Sequence, residues 1–121
     1  AKASAEDISS REEQIAVAQQ LAGQHNIVVL LKGHRTVITD GSQTIENTTG
    51  NPGMATGGTG DVLTGIITAL VCQGLSPFDA AVLGAHVHGL AGDLAAADLG
   101  QVSLIASDLL TYLPRAFQAL P

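Results

Sequence analysis

The chain has 121 residues, 45% of them hydrophobic, and a formal net charge of −6 at pH 7. This length can bury one modest core and is too short for two, so a single domain is expected over residues 1–121. The negative charge, with one Tyr, two Phe and no Trp, argues against a nucleic-acid surface, which needs clustered Lys and Arg or aromatic stacking platforms.

The chain begins with a predicted helix and a predicted strand. Ser10 and Glu13 have the spacing of a capping box, which predicts a helix from Ser10 to about Gly23. Residues 27–31 have the sequence IVVLL, a continuous apolar run rich in β-branched side chains. Such a run is typical of a central strand that is covered on both faces.

A hairpin and a loop follow. Two short antiparallel strands are predicted at residues 36–39 and 43–47, because Asp40-Gly41 between them tolerates the positive φ angles of a tight turn. Residues 50–60 have the sequence GNPGMATGGTG. Their glycines remain too free in the unfolded chain for a stable helix or strand, so this segment is predicted to be a loop.

The rest of the chain is predicted to be helical. Apolar residues repeat with a helical period over residues 62–71, directly after the loop. Ser76 followed by proline predicts the cap of a long helix that ends within residues 95–99, and its many Ala and Gly residues predict close packing against another element. A last helix is expected to begin at Ser107 and to be bent or interrupted at Pro114.

The chemistry concentrates in the sequence GGTGD at residues 57–61, where the glycine loop enters the predicted helix. The first amides of a helix lack intrahelical acceptors and lie at the positive end of the dipole, so they form an anion site. Asp61 at this position could take a proton from a substrate hydroxyl while a phosphoryl group is transferred. Alternatively, Asp61 only favours the start of the helix and the glycines only form a turn.

A longer pattern surrounds this motif. Residues 51–65, NPGMATGGTGDVLTG, resemble the signature of the NAD(P)H-hydrate dehydratase family nearly position for position. Residues 31–36, LKGHRT, resemble a second motif of the family, and residues 75–81, LSPFDAA, are similar to the turn that opens its next helix. The resemblance extends over the chain from about Glu6 onward, with order and spacing preserved.

The resemblance implies an α/β fold, the carboxy-terminal portion of a ribokinase-like three-layer α/β/α domain. It also implies an enzyme that uses ADP or ATP to dehydrate the S epimer of hydrated NADH or NADPH. The nucleotide would phosphorylate the hydroxyl on the hydrated nicotinamide ring, and loss of phosphate would restore the reduced cofactor. Mg²⁺ is expected from the phosphoryl chemistry, without a ligand that can be named.

The resemblance also assigns roles to residues. Asp61 would be the catalytic base and would contact the substrate. The nucleotide would be bound by two segments, Lys32, Gly33, His34, Arg35 and Thr36 in the first, and Gly57, Gly58, Thr59 and Gly60 in the second.

Members of the family resemble this chain only in their own carboxy-terminal half, so the chain is expected to be truncated at its amino terminus. A half-domain would leave sheet edges and one face of the helix after Asp61 uncovered. A homo-oligomer is expected. Two other functions stay open, a ribokinase-like small-alcohol kinase of the hydroxyethylthiazole or hydroxymethylpyrimidine type, and a nucleotide-binding module without turnover.

The remaining candidates favour structural roles. Cys72 is the single cysteine, which excludes an internal disulfide, and it is expected to be buried. The sequence shows neither a leader nor a long apolar run, which predicts a cytoplasmic protein without a membrane span. His86 and His88 lie two apart on a predicted helix and so face different directions, which disfavours a metal site. Three aspartates without an acid/base partner are expected to be surface groups: Asp93, Asp98 and Asp108.

Overall fold

The computed structural model describes residues 5–33 and 35–121, with side chains from Ser10 onward. It combines helices with one small sheet and divides into two compact units, Ala1–Glu46 and Asn47–Pro121. None of the helices in the described residues is long and apolar enough to cross a membrane.

The first unit opens with helix α1, Ala5–His25. The prediction that this helix begins at Ser10 is wrong, because no helix breaker precedes Ser10 and the capping-box spacing lies inside a longer helix. The helix ends where Asn26 takes a positive φ of 53°. Gly23, the predicted end, instead approaches the hairpin turn, since a Cβ on Gly41 would lie 2.6 Å from the Cα of Gly23.

Three short strands form an antiparallel sheet in the order β1 (Val29–Leu31), β2 (Val37–Thr39) and β3 (Thr44–Glu46). The predicted hairpin of β2 and β3 is confirmed. All three residues of β2 are buried, whereas those of β1 are half-buried and pair with β2 alone among the described residues. Within the described residues β1 lies at the edge of this sheet, so the prediction of β1 as a central strand is not confirmed there.

The hairpin turn is organised by Asp40. Its Oδ1 accepts hydrogen bonds from the amides of Ser42, at 2.8 Å, and Gln43, at 2.7 Å. The bonds from Gln43 and then Ser42 favour the ionised form and lower the pKa of the Asp40 carboxyl. The buried Thr39 hydroxyl donates to the carbonyl of Gln43 at 2.9 Å, which closes the turn from the other side.

The second unit is helical. A single turn of 3-10 helix, Pro52–Met54, precedes α2 (Thr59–Cys72), α3 (Pro77–Leu99) and α4 (Ala106–Gln118). All three predicted helices are therefore confirmed. As expected, Ser76 caps α3, because its side chain accepts a hydrogen bond from an amide in the first turn of that helix.

The last helix differs from its prediction at its start. It begins one residue before Ser107, where the Asp108 carboxylate accepts the amide of Ile105 at 2.9 Å. Of the two alternatives predicted at Pro114, a bend or an interruption, the interruption is wrong, because the helix continues through this residue. Pro114 is exposed, so the carbonyl that loses its partner at this point can be solvated.

The core of the second unit lies where α3 packs between α2 and α4. Its buried members are Ile66 and Leu70 of α2, Ala80, Val87 and Ala91 of α3, and Ala116 of α4. Gly84 lets α2 and α3 approach closely, because a Cβ there would lie 2.7 Å from Cγ1 of Ile67. The small residues of α3 thus produce the close packing that the sequence predicted.

Candidate active site

The glycine-rich residues 50–60 form the centre of the candidate site. They are mostly irregular, as predicted, but they contain the 3-10 turn Pro52–Met54 and end inside the first turn of α2. Gly58 is the N-cap residue of α2 with a φ of +91°. A β-branched residue would be strongly strained in this left-handed conformation, so the entry into α2 requires glycine here.

Two backbone amides at the start of α2 are free of any hydrogen bond to residues 5–33 and 35–121. The Thr59 amide donates to the carbonyl of Thr56 at 3.5 Å, and the Val62 amide donates to the carbonyl of Gly58 at 3.2 Å. Between them, the amides of Gly60 and Asp61 meet no acceptor among the described residues. Free amides at the positive end of a helix dipole are a site for a phosphate group.

Asp61 stands beside these amides as the third residue of α2. Its side chain is exposed, and within the described part of the chain its carboxylate takes part in no hydrogen bond or ion pair. A carboxylate that neither caps the helix nor pairs with a cation is available to accept a proton from a ligand. The structure therefore places the predicted base on one helix turn with two amides, of which only that of Gly60 belongs to the residues predicted to bind the nucleotide.

Asp61 also lies at one end of an open groove of about 740 Å³ that follows α2. Its lining residues are largely apolar: Val62, Gly65, Ile66, Ala69 and Leu70 of α2, Leu110, Leu113 and Phe117 of α4, and the polar Gln73. Leu110 is 56% exposed and Phe117 is 39% exposed. Next to Asp61, α2 and α4 therefore present an apolar surface.

Helix α3 supports the segment that precedes α2. The Thr49 hydroxyl donates to the carbonyl of His86 at 2.9 Å, and the Asn47 amide donates to the carbonyl of Ala85 at 3.1 Å. Gly89 permits this contact, because a Cβ there would lie 2.6 Å from the carbonyl carbon of Thr49. The chain thus crosses α3 in direct contact with the helix backbone before it reaches the glycine-rich residues.

Two side chains of α3 contact the glycine-rich residues directly, and sequence reasoning missed both. His88 Nε2 lies 2.9 Å from the carbonyl oxygen of Thr59. Because a carbonyl only accepts, Nε2 donates this bond. Asp93 accepts the amide of Gly50 at 3.0 Å and the side-chain amide of Asn51 at 2.9 Å. The expectation that Asp93 is only a surface group is therefore wrong.

Asp98 and Cys72 are two other residues for which the sequence predicted no catalytic role. Asp98 accepts the hydroxyl of Tyr112 at 2.8 Å and an Nη of Arg115 at 3.3 Å. The bond to Asp98 and partial burial raise the pKa of Tyr112. Cys72 is exposed, so its predicted burial is wrong, because the last turn of α2 turns this position away from the core.

The first predicted nucleotide segment lies in the other unit, between β1 and β2. Its backbone is held by Arg11 of α1, whose guanidinium donates to the carbonyls of Leu31 at 3.4 Å, Lys32 at 3.1 Å and Arg35 at 2.7 Å. A Cβ on Gly33 would lie 3.0 Å from this guanidinium. Sequence reasoning missed Arg11, which no local motif distinguishes from other helix-surface arginines.

The side chains of this segment differ in their surroundings. Lys32 is exposed, whereas Arg35 is engaged with Glu46 in an exposed ion pair of 3.4 Å. Thr36 is half-buried directly before β2, and His34 lies outside the described residues. The nucleotide-binding roles of these residues, and those of Gly57 to Gly60, remain predictions.

Mg²⁺ is bound by oxygen ligands, above all carboxylates. In residues 5–33 and 35–121, no three His, Cys, Asp or Glu side chains are grouped so that they could hold a metal ion. Mg²⁺ in nucleotide sites is commonly held by phosphate oxygens with one or two carboxylates. The side chains of these residues therefore do not form a metal cage of their own.

Comparison with known proteins agrees with the sequence motifs. The family model described as NAD(P)H-hydrate dehydratase matches residues 2–115. A bifunctional NAD(P)H-hydrate repair enzyme of Moorella thermoacetica is 53% identical over 91% of this chain and 21% of its own length. An ADP-dependent (S)-NAD(P)H-hydrate dehydratase of Cenarchaeum symbiosum is 41% identical over 85% of this chain and 36% of its own length.

Solved structures show the same relationship. The ADP/ATP-dependent NAD(P)H-hydrate dehydratase of Bacillus subtilis, co-crystallised with ATP and Mg²⁺, has a TM-score of 0.82 and 33% identity. The match covers 89% of this chain and 39% of that one. A ribokinase-like superfamily protein of Enterococcus faecalis V583 has a TM-score of 0.67 and 36% identity over 83% of this chain and 35% of its own.

The chain spans about a fifth of the length of the bifunctional repair enzymes that it matches, 21% for the Moorella enzyme. Within that span the agreement is broad, because the family model, the relatives and the solved structures each cover most of this chain. The chain belongs to the NAD(P)H-hydrate dehydratase family and has the α/β fold of a part of its ribokinase-like domain.

Proposed function

We propose that this chain forms the catalytic part of an ADP- or ATP-dependent dehydratase that acts on the S epimer of hydrated NADH or NADPH. The observation that carries the proposal is the first turn of α2, where the exposed carboxylate of Asp61 stands beside the free amides of Gly60 and Asp61. Family membership supports the choice of substrate, since relatives are named as NAD(P)H-hydrate dehydratases and repair enzymes.

In the first step, Asp61 accepts the proton of the ring hydroxyl. The hydroxyl oxygen forms a bond to the terminal phosphorus of the nucleotide, and the bond from this phosphorus to the bridging oxygen breaks. The leaving group is AMP when ADP is the donor, and it is ADP when ATP is the donor. The amides of Gly60 and Asp61 stabilise the negative charge on the transferred phosphoryl oxygens.

The second step restores the reduced cofactor. The carbon–oxygen bond to the new phosphate ester breaks, inorganic phosphate leaves with the bonding electrons, and the neighbouring ring carbon loses a proton to form the double bond. Phosphate is a far better leaving group than hydroxide, which is the chemical reason to consume a nucleotide. Mg²⁺ bound to the nucleotide would neutralise phosphate charge, but the described residues do not form a cage for it, so no step is assigned to it.

The nucleotide is proposed to contact residues 32–36 and residues 57–60. Lys32 is exposed and can reach a phosphate oxygen as a point charge. Arg11 supports this role indirectly, because its hydrogen bonds hold the backbone carbonyls of Lys32 and Arg35. Gly57 leaves open space for a ligand, since a Cβ there would meet no atom of the described part of the chain within 4 Å.

The proposal is tested by product analysis with the full-length protein. Hydrated NADPH and either ADP or ATP are supplied, and NADPH absorbance and inorganic phosphate are followed together. Equal amounts of NADPH and phosphate are expected. A parallel assay supplies hydroxyethylthiazole or hydroxymethylpyrimidine in place of hydrated NADPH. A stable phosphorylated alcohol without release of inorganic phosphate would identify a small-alcohol kinase. Nucleotide binding without either product would identify a binding module.

A further inference from the structure

The start of the glycine-rich segment is attached to α3 by one carboxylate. Asp93 accepts the backbone amide of Gly50 on Oδ2 at 3.0 Å and the side-chain amide of Asn51 on Oδ1 at 2.9 Å. The positions are 43 and 42 residues apart in the chain. Asp93 is half-buried, so both bonds lie at the contact between the segment and the helix.

These bonds continue into the segment. Because an ionised carboxylate only accepts, the amide nitrogen of Asn51 faces Asp93 and its oxygen faces the other way. That oxygen accepts the amide of Gly53 at 3.0 Å and caps the 3-10 turn. Asp93, Asn51 and Gly53 therefore form one directed chain of hydrogen bonds, in which the carboxylate determines the orientation of every member.

The same helix also contacts the middle and the end of the segment. Met54 packs on Gly92, where a Cβ would lie 2.7 Å from the Met54 Cε. His88 donates to the carbonyl of Thr59, the first residue of α2. The residues that lead into the free amides are thus fixed on α3 from their first member to their last.

From this arrangement we propose that Asp93 is a positioning residue for the reaction. It fixes residues 50–53 on α3 and so determines where the amides of Gly60 and Asp61, and the Asp61 carboxylate, meet the reacting groups. Asp93 itself touches neither substrate nor nucleotide. The inference rests on the proposed function, because the site whose geometry it sets is the one assigned there.

A pair of substitutions that exchanges the two side-chain types tests the role. Asp93→Asn places the amide of the new side chain against the amide of Asn51, so one bond is lost. Asn51→Asp places two carboxylates against each other. In the double variant the new amide at 93 donates to the new carboxylate at 51, the oxygen at 93 accepts the Gly50 amide, and the carboxylate at 51 accepts the Gly53 amide. All three hydrogen bonds are restored.

The turnover number of the full-length protein is measured for the parent, both single variants and the double variant, well below their melting temperatures. Each single variant is expected to lose about ten- to a hundredfold in kcat, since displacement of reacting groups by about 1 Å is enough for such losses. The double variant is expected to return to within about threefold of the parent. Asp98→Asn is the matched control, because Asp98 lies on the same helix but binds Tyr112 and Arg115. It is expected to change the melting temperature and not kcat.

Amide hydrogen exchange of residues 50–60 provides a readout that does not depend on activity. Exchange is expected to accelerate in each single variant and to return to the parental rate in the double variant. Single variants that keep the parental kcat and exchange rates would overturn the inference, and so would a double variant that stays as slow as the single ones. If the parent protein does not dehydrate hydrated NADPH, the proposed function fails, and hydrogen exchange alone decides whether Asp93 orders the segment.

Discussion

Replacement of Asp61 by Asn separates the proposed base from a residue that only favours its helix. The Asp61 carboxylate is exposed and makes no hydrogen bond or ion pair within the described part of the chain, so its contribution to folding is limited to the helix dipole. An exposed charge at this position contributes about 0.3–1 kcal/mol. Loss of a general base lowers turnover by at least about a hundredfold, which raises the activation barrier by roughly 2.7 kcal/mol.

The two contributions are measured separately in the full-length protein. Steady-state turnover of hydrated NADPH reports the barrier, thermal unfolding reports stability, and calorimetry with ADP reports nucleotide binding. Asp61→Asn is expected to lower kcat at least about a hundredfold while the melting temperature falls by a few degrees and nucleotide affinity stays close to that of the parent.

Asp79→Asn is the matched control for this experiment. Asp79 is the third residue of α3, as Asp61 is of α2, and its side chain is also exposed. The control is expected to lose a similar, small amount of stability and no turnover. Turnover by Asp61→Asn at near the parental rate would refute the assignment of Asp61 as the base, and equal losses in both variants would show a general effect of helix charge.

Three further results are expected. Gly58→Val is expected to abolish nucleotide binding measured by calorimetry, because a β-branched residue is strained at a φ of +91°. Gly74→Val is the control for strain alone, since Gly74 has a φ of +105° and its Cβ would meet no described atom within 4 Å. Normal nucleotide binding by a folded Gly58→Val would contradict the anion-site assignment. Lys32→Ala is expected to weaken ADP binding by roughly ten- to a hundredfold, as a charge-assisted contact of about 1.5–3 kcal/mol is lost, and unchanged affinity with an intact fold would disprove the contact. Asp40→Ala is expected to destabilise the protein most at neutral pH. The pKa of Asp40 in the folded state lies below its ordinary value of 3.8, so the carboxylate stabilises the fold above 3.8, and this contribution is lost as the pH falls through the folded-state pKa. The difference in melting temperature between variant and parent should therefore disappear in acid, and a difference independent of pH would count against the role of the charge.

The elements that could be predicted from the sequence are those whose cause is local. Ser76 followed by proline marks the start of α3 because both residues act within one helix turn. Asp40 and Gly41 mark the hairpin for the same reason. Local patterns also misled at Ser10, where a capping-box spacing occurs in the middle of α1, since nothing in the pattern says whether the helix has already begun.

The parts of the site that could not be predicted depend on contacts across the chain. The bond from His88 to Thr59 spans 29 residues, and the bond from Gly50 to Asp93 spans 43. Neither pair forms a motif, so His88 and Asp93 resembled ordinary helix residues in the sequence. The place of Asp61 at a helix start could be predicted, because the glycines beside it are visible within five residues, whereas its catalytic role stays a prediction.

The glycines of α3 limit how far this helix can be stabilised by substitution. Replacing glycine with alanine inside a helix ordinarily adds about 0.5–1 kcal/mol. At Gly89 and Gly92 the new methyl group would lie 2.6 Å from the Thr49 carbonyl carbon and 2.7 Å from the Met54 Cε, so it would displace the chain that leads to α2. Together the two glycines lower the intrinsic stability of the helix by about 1–2 kcal/mol relative to alanine. Stabilising substitutions in this protein are therefore to be sought at other positions, because at these two a gain in helix stability would displace the residues that precede α2.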